Sequence, residues 1–298
     1  LIKELKTLEP SFTPRNRLLF TEHHQSHAAS AFFPSPFKEA VILTMDGVGE
    51  WATTSVAIGN GAKLETIKEI HFPHSLGLLY SAVTYYLGFK VNSGEYKIMG
   101  LAPYGKPKFA ERMMKYLIDI KDDGSFRMDM SYFNYCTGLT MTTQKFVKLF
   151  GEPVRTKENT LTQFHMDMAA SVQAITEKIV LSITRSLANE FDVKNLCLAG
   201  GVALNCVANG KIRRDGAFKN IWVQPAAGDA GGALGAALGA YYIYLKHPRL
   251  QKNNRDNMQG SYLGPAFEQH NIEQRLKNTG AVFEVIKNEN ELIKMTAV

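Results

Sequence analysis

Two histidines four positions apart, His23 and His27, are the residues of this 298-residue chain that most directly invite chemistry. On a helix such a pair stacks on one face, so both imidazoles can reach a single metal ion. His24 points about 100° away from them. The segment is not the HExxH of zinc peptidases, because His24 stands where that motif needs its general-base glutamate. Two histidines alone make a poor site, so short carboxylates held rigidly at strand ends are the natural complement. Asp46 closes the apolar run 40–45 and precedes Gly47-Val48-Gly49. Asp229 lies in Gly228-Asp229-Ala230-Gly231-Gly232 at the opening of a helix, where it could equally be a helix cap. Together His23, His27, Asp46 and Asp229 would form a nitrogen and oxygen set suited to iron, manganese or zinc, with open positions for water or a phosphate.

Two glycine-rich turns point to a second kind of ligand. Residues 196–199 run into Gly200-Gly201-Val202-Ala203-Leu204-Asn205, a strand, then glycines, then a helix, where backbone N–H groups can approach a phosphate or a nucleoside. The turn holding Gly228 and Gly231 follows the next strand, so both turns would face one crevice at the carboxyl edge of a sheet. The alternative is that these glycines only let helices pack closely on the sheet. The glycine-bounded segment 93–105 carries one lysine, Lys97, either a mobile charge for a phosphate or a solvated loop residue. Glu50 could orient a ligand or act as a base, or stand exposed in its turn, and Ser75 suits a helix cap.

The elements needed to position these residues follow from hydrophobic periodicity. A strand is expected at 40–45 and a hairpin from 53–58 and 62–70, with Asp46-Gly47 and Gly59-Asn60-Gly61 as turns. A short apolar run at 18–20 leads into a helix over 22–29 that Thr21 would cap. Residues 76–87 and 108–117 are helical by composition. Residues 166–191 place Met168, Val172, Ile175, Ile179, Ile183 and Leu187 at three-to-four spacing, a long core helix. Strand 195–199, helix 205–214, strand 221–224 and helix 230–244 then alternate, which predicts an α/β arrangement. Beyond His247 the polar residues 251–257 read as a linker and 271–298 as a small helix, strand and helix.

A hydrophobic content of 45% allows one large core or two lobes without disulfides. Cys136, Cys197 and Cys206 form neither an even framework nor a CxxC, which fits reduced thiols and a cytoplasmic location. The net charge of +6 suits anionic ligands, but basic runs such as Lys211-Ile212-Arg213-Arg214 are short, so nucleic acid is not an expected partner. No stretch approaches the ~20 apolar residues that span a bilayer, and no membrane association is expected. The chain opens without Met and stops inside an apolar-periodic segment, as a piece of something longer would.

Five motifs in order, HHQSHAASAF from His23, DGVGE from Asp46, EYKIMGLAPYG from Glu95, GGVALN from Gly200 and GDAGG from Gly228, resemble the nodulation and antibiotic-biosynthesis O-carbamoyltransferases over about residues 18–244. The resemblance implies an α/β fold of the actin-like ATPase (ASKHA) class, in the threonylcarbamoyl-transferase branch, truncated at the N-terminus. Residues 1–247 would be a partial actin-like carbamoyltransferase domain lacking its first strands. Residues 248–298 would be a linker and the start of the segment leading to a C-terminal domain that makes carbamoyl adenylate from carbamoyl phosphate and ATP. It further implies a divalent metal, iron favoured over manganese or zinc, on His23, His27, Asp46 and Asp229. Gly200, Gly201 and Asn205 would lie at the nucleotide with Gly228 and Gly231 nearby, Lys97 near the reacting group, and His24 as a candidate base. The carbamoyl group would pass to a hydroxyl of a small-molecule acceptor, whose identity rests on variable loops. This piece alone is not expected to turn over. A threonylcarbamoyl or hydrogenase-maturation relative and a non-catalytic nucleotide-binding module are the alternatives, and a homodimer is the commonest assembly on general grounds.

Overall fold

The structure, a computed structural model, describes residues 1–14, 18–250 and 255–297. The first four residues of the expected linker 251–257, and Val298, lie outside the described residues. In chain order the elements are α1 (Ile2–Leu8), α2 (His23–Phe32), β1 (Glu39–Met45), β2 (Ala52–Asn60), β3 (Lys63–His71), α3 (Leu76–Tyr86), α4 (Glu95–Leu101), α5 (Ala110–Tyr116), β4 (Ile118–Ile120), β5 (Phe126–Met128), α6 (Gln144–Phe150), α7 (Gln163–Glu190), β6 (Asn195–Ala199), α8 (Cys206–Asp215), β7 (Asn220–Val223), α9 (Asp229–Gly239), α10 (Gln269–Asn278) and α11 (Glu289–Thr296). They fall into two compact units, 1–258 and 259–298.

The first unit is mixed α/β around a sheet of order β3-β2-β1-β6-β7. β1 to β3 form an antiparallel meander, while β6 and β7 join parallel to β1. A strand covered on both faces reads as an unbroken apolar run, which is why 40–45 shows no alternation. Val41, Leu43 and Met45 face a large cluster with Leu79 and Val83 of α3 and Met168, Val172 and Ile179 of α7. Ala40 and Ile42 face Ala28, Ala31 and Phe32 of α2. The pairings Thr44 with Ala199 and Leu198 with Val223 bring the carboxyl ends of β1, β6 and β7 to one edge.

Several boundaries differ from the sequence expectation. Thr21 does not cap α2: Glu22 holds the N-cap position without a side-chain bond, and the Thr21 hydroxyl pairs with that of Ser26 at 2.5 Å. The first unit continues past His247 to Met258, because the Arg249 guanidinium donates to the carbonyls of Phe32, Phe33, Ser35 and Phe37 at 2.8–3.0 Å. In the second unit, residues 281–288 form no strand between α10 and α11. Val282 and Val285 have no neighbouring strand there, and a lone strand leaves its backbone groups unpaired.

The segment expected as a loop around Lys97 is instead α4 followed by a 3-10 turn, Ala102–Tyr104. It is seated on the start of α7, where a Cβ on Gly105 would lie 2.0 Å from the Met166 carbonyl oxygen. The buried Asp167 carboxylate accepts from the Lys106 N–H and the Gln163 amide, both at 2.8 Å, and lies 2.7 Å from the Lys108 ammonium. Burial pushes this carboxyl up, but those donors outweigh burial and hold it at about 2, below the ordinary 3.8. A depressed carboxyl stabilises the fold above its unfolded value and loses that contribution as the pH falls. The urea midpoint should therefore fall between about pH 4 and pH 2, and less steeply in Asp167→Asn, which has no such carboxyl to titrate.

Candidate metal centre

The site grows from the carboxyl edge of the sheet. α2 runs antiparallel to β1: its first residue packs on Gly49, whose Cβ would lie 3.0 Å from the His23 Cβ. Its last residue, Phe32, packs on Gly59, the partner of Ala40. His23 and His27 therefore stand over the end of β1, where Asp46 projects toward them.

α9 closes the cluster. A Cβ on Gly235 would lie 1.7 Å from the Ser26 carbonyl oxygen, so α9 rests directly on the α2 backbone, and Asp229 in its first turn overhangs the histidines. One donor atom from each of His23, His27, Asp46 and Asp229 lies within 4.8 Å of every other. His23 Nε2 is 2.8 Å from Asp46 Oδ2 and 3.0 Å from His27 Nε2. His27 Nε2 is 3.4 Å from Asp46 Oδ2, and Asp229 Oδ1 is 3.4 and 3.5 Å from the two Nε2 atoms.

These separations suit a common cation. Ligands about 2.1 Å from one ion stand about 3.0–3.4 Å apart in octahedral or tetrahedral geometry. The donor chemistry agrees, since two carboxylates and two imidazole lone pairs repel unless a proton or a cation sits among them. His27 is fully buried, whereas the Asp229 side chain is 80% exposed, so the cluster has one closed and one open side.

The surroundings fix the first carboxylate firmly. Asp46 Oδ1 accepts the Gly201 N–H at 3.0 Å, which turns Oδ2 toward the histidines. Its backbone carbonyl accepts from the Ser75 hydroxyl at 3.1 Å, and Ser75 also caps α3 by accepting the Leu78 N–H. Burial would raise the Asp46 carboxyl, but the bonds from His23, His27 and Gly201 hold it well below the ordinary range. The bond to Asp46 raises His23 above its ordinary value against the opposing effect of burial.

Glu50, exposed in the β1–β2 loop, caps α2 from outside: both its carboxylate oxygens accept the His23 N–H, at 3.0 and 3.1 Å. One loop thus carries a carboxylate of the cluster and a tether to the helix that holds the histidines. Glu50→Ala should cost about 1 kcal/mol of stability, the usual worth of a helix cap, measurable as a lower urea midpoint at unchanged m-value.

The other sequence-derived residues are placed as follows. His24 is buried, with Nδ1 2.8 Å from the Ser55 hydroxyl, and burial pushes it down to about 4. A ring so placed holds a proton weakly, and its role as a base gains no support. Lys97 is exposed on α4, its ammonium 5.9 Å from the ring centres of Phe89 and Tyr96. Gly200 has φ +85°, and its Cβ would lie 2.2 Å from the Met45 carbonyl oxygen, a close approach of β6 to β1. Asn205 caps α8 through the Ala208 N–H and exchanges two amide bonds with Gln173, so its side chain is already engaged. Gly228 is the N-cap residue of α9, and a Cβ on Gly231 would lie 2.1 Å from the Ala226 carbonyl oxygen. Gly201 and Glu50 earn their places through contacts no local spacing encodes, because their partners lie 155 and 27 positions away.

Comparison with known proteins adds the following. Residues 3–238 match the family model described as "Carbamoyltransferase N-terminus". An uncharacterized protein of Synechocystis sp., sll1178, is 62% identical over 275 residues, which cover 92% of this chain and 45% of that protein. Nodulation protein NolNO of Sinorhizobium fredii is 38% identical over 271 residues, 91% of this chain and 37% of that protein. The chain thus spans less than half the length of these curated relatives. Among solved structures, HypF of T.kodakarensis is similar at a TM-score of 0.38 and 17% identity, over 82% of this chain and 38% of that one. No helix of the described residues is long and apolar enough to cross a membrane.

Proposed function

The chain belongs to the carbamoyltransferase N-terminal family, and from that premise we propose that it is the group-transferring part of an O-carbamoyltransferase that moves a carbamoyl group from carbamoyl adenylate to a hydroxyl of a small-molecule acceptor. The donor would be made from carbamoyl phosphate and ATP elsewhere in the full-length protein. One observation supports the reading most: the convergence of His23, His27, Asp46 and Asp229 at the carboxyl edge of the sheet, beside the turns at Gly200 and Gly228. Crevices outside the carboxyl ends of parallel strands are where α/β sheets bind nucleotides.

In the reaction the acceptor oxygen attacks the carbamoyl carbon, the bond from that carbon to the phosphate oxygen breaks, AMP leaves with the electron pair, and the acceptor's hydroxyl proton passes to the released phosphate or to solvent water. A divalent cation, when bound, would supply charge stabilisation to the departing phosphate. His23, His27, Asp46 and Asp229 would hold it, and the exposure of Asp229 leaves that side free for a phosphate oxygen. The Gly201 N–H keeps Asp46 in register, and Glu50 keeps the histidine helix in place. Lys97, exposed and unpaired with any carboxylate within the first unit's described residues, is assigned to the phosphate charge. The fold is read as the actin-like ATPase class within this proposal.

The test is carbamoyl transfer by the full-length protein to a panel of hydroxylated acceptors, supplied with carbamoyl phosphate and ATP. Product formation with release of AMP is expected. Transfer that proceeds equally without ATP would overturn the carbamoyl-adenylate route.

A further inference from the structure

Between α2 and the sheet lies a set of buried polar atoms that the proposed chemistry does not use. His27 Nδ1, His24 Nε2 and Thr44 Oγ1 have no hydrogen-bond partner among the described residues, and His27 and Thr44 are both fully buried. Buried polar groups are rarely left unpaired, so such a group calls for an explanation.

The topology brings His27 and Thr44 together. Thr44 shares the α2-facing side of β1 with Ala40 and Ile42, while Val41, Leu43 and Met45 face the opposite layer. His23 lies over the loop after β1 and Phe32 over Gly59, so His27, one turn into the antiparallel helix, stands over the Thr44 position. Ser55, the partner of Thr44 across the β1–β2 ladder, confirms this alignment by its bond to His24. The hydrophobic side chains of this layer include Ala28, Ala31, Ile42 and Ala199, and the nearby Ser55 hydroxyl is already engaged by His24. Those side chains are mostly small, which suits a water molecule needing about 10–15 Å³ of accessible space and two to four polar partners.

A histidine that ligates a cation through Nε2 carries its proton on Nδ1, and that proton is nearly always held by an outer acceptor that fixes the ring. We infer that Thr44 is that outer partner: its hydroxyl, through one enclosed water that accepts the His27 Nδ1–H, locks the ring with Nε2 turned to the ion. Thr44 is then a positioning residue, acting through His27 and touching neither cation nor substrate. This rests on the metal reading of the cluster, but it fails separately from it.

Thr54 provides the matched control. Its hydroxyl is also buried and unpartnered, on the neighbouring strand, but it shares a face with Val56 in the opposite layer. In the full-length protein, chelator competition with Zn2+ as the probe should show Thr44→Val weakening binding about 10–100-fold, the usual cost of an outer-sphere partner. Thr44→Ser, which keeps the hydroxyl, and Thr54→Val should both match wild type. With 15N-histidine labelling, the Zn2+-loaded protein should show a slowly exchanging His27 Nδ1–H in wild type and Thr44→Ser, lost in Thr44→Val. Equal Zn2+ affinity of Thr44→Val and Thr54→Val would overturn the role of Thr44 and leave the metal site standing. Failure of the wild type to bind Zn2+, Mn2+ or Fe2+ would overturn the metal site itself. Should Thr44→Val not fold, rapid exchange of the wild-type Nδ1–H would by itself be enough to reject the assignment.

Discussion

On the proposed reading, Asp229→Asn in the full-length protein is expected to lose divalent-metal binding and carbamoyl transfer together while keeping the thermal stability of the metal-free wild type. The side chain is 80% exposed, and surface changes of this kind usually stay within about 0.5 kcal/mol. Loss of an outer-sphere partner alone costs 10–100-fold in affinity, so loss of a direct ligand should exceed about 100-fold. His27→Ala should match that loss in affinity, but it also opens a cavity in a fully buried position and so lowers the melting temperature as well. Because both side chains would serve one ion, their effects on metal affinity should not add independently in the double variant. Metal content by elemental analysis of the purified full-length protein, beside a melting curve, gives both readouts. Wild-type metal content in Asp229→Asn would mean that the carboxylate is only the first residue of α9.

Gly235→Ala should destabilise the protein, against the ordinary behaviour of such a change. Alanine within a helix gains about 1 kcal/mol over glycine. At Gly235, however, the added Cβ would sit 1.7 Å from the Ser26 carbonyl oxygen, so α9 has to lift off α2. Overpacking of that kind costs about 1–3 kcal/mol. Lifting α9 also carries Asp229 away from His23 and His27, so metal affinity should fall with stability. Gly232→Ala is the internal comparison: in the same helix, nothing lies within 4 Å of its added Cβ, and it should be neutral or slightly stabilising. Urea denaturation of the two variants side by side decides the matter, and equal midpoints would show that the two helices have slack between them.

Much of the arrangement is legible in the amino-acid sequence. The strand at 40–45, the hairpin after it, the long helix now bounded as Gln163–Glu190 and the alternation from Asn195 onward follow from periodicity, because each buries a continuous face. The cluster was legible in part, since His23 and His27 share a helix face by spacing, Asp46 follows the end of a strand and Asp229 opens a helix. What could not be read was what rests on tertiary contact. α4 and α6 are seven residues each, below the length at which a helix stands alone, and are held by packing on the rest of the unit. The three-residue strands β4 and β5 exist only as each other's partners. In 281–288 apolar residues promised a strand, but no sheet edge meets them. Thr21 looked like the cap of α2 because local sequence cannot show that Glu50 arrives from another loop.

The four donors also set a timetable. Asp229 follows His23 by 206 positions, 229 less 23, and His27 by 202, 229 less 27. At a synthesis rate of about 5–20 residues per second, the histidine pair waits roughly 10–40 seconds on the ribosome for its last carboxylate. On the metal reading, the nascent chain would over that interval present an unfinished set of donors, and the docking of α9 would complete it.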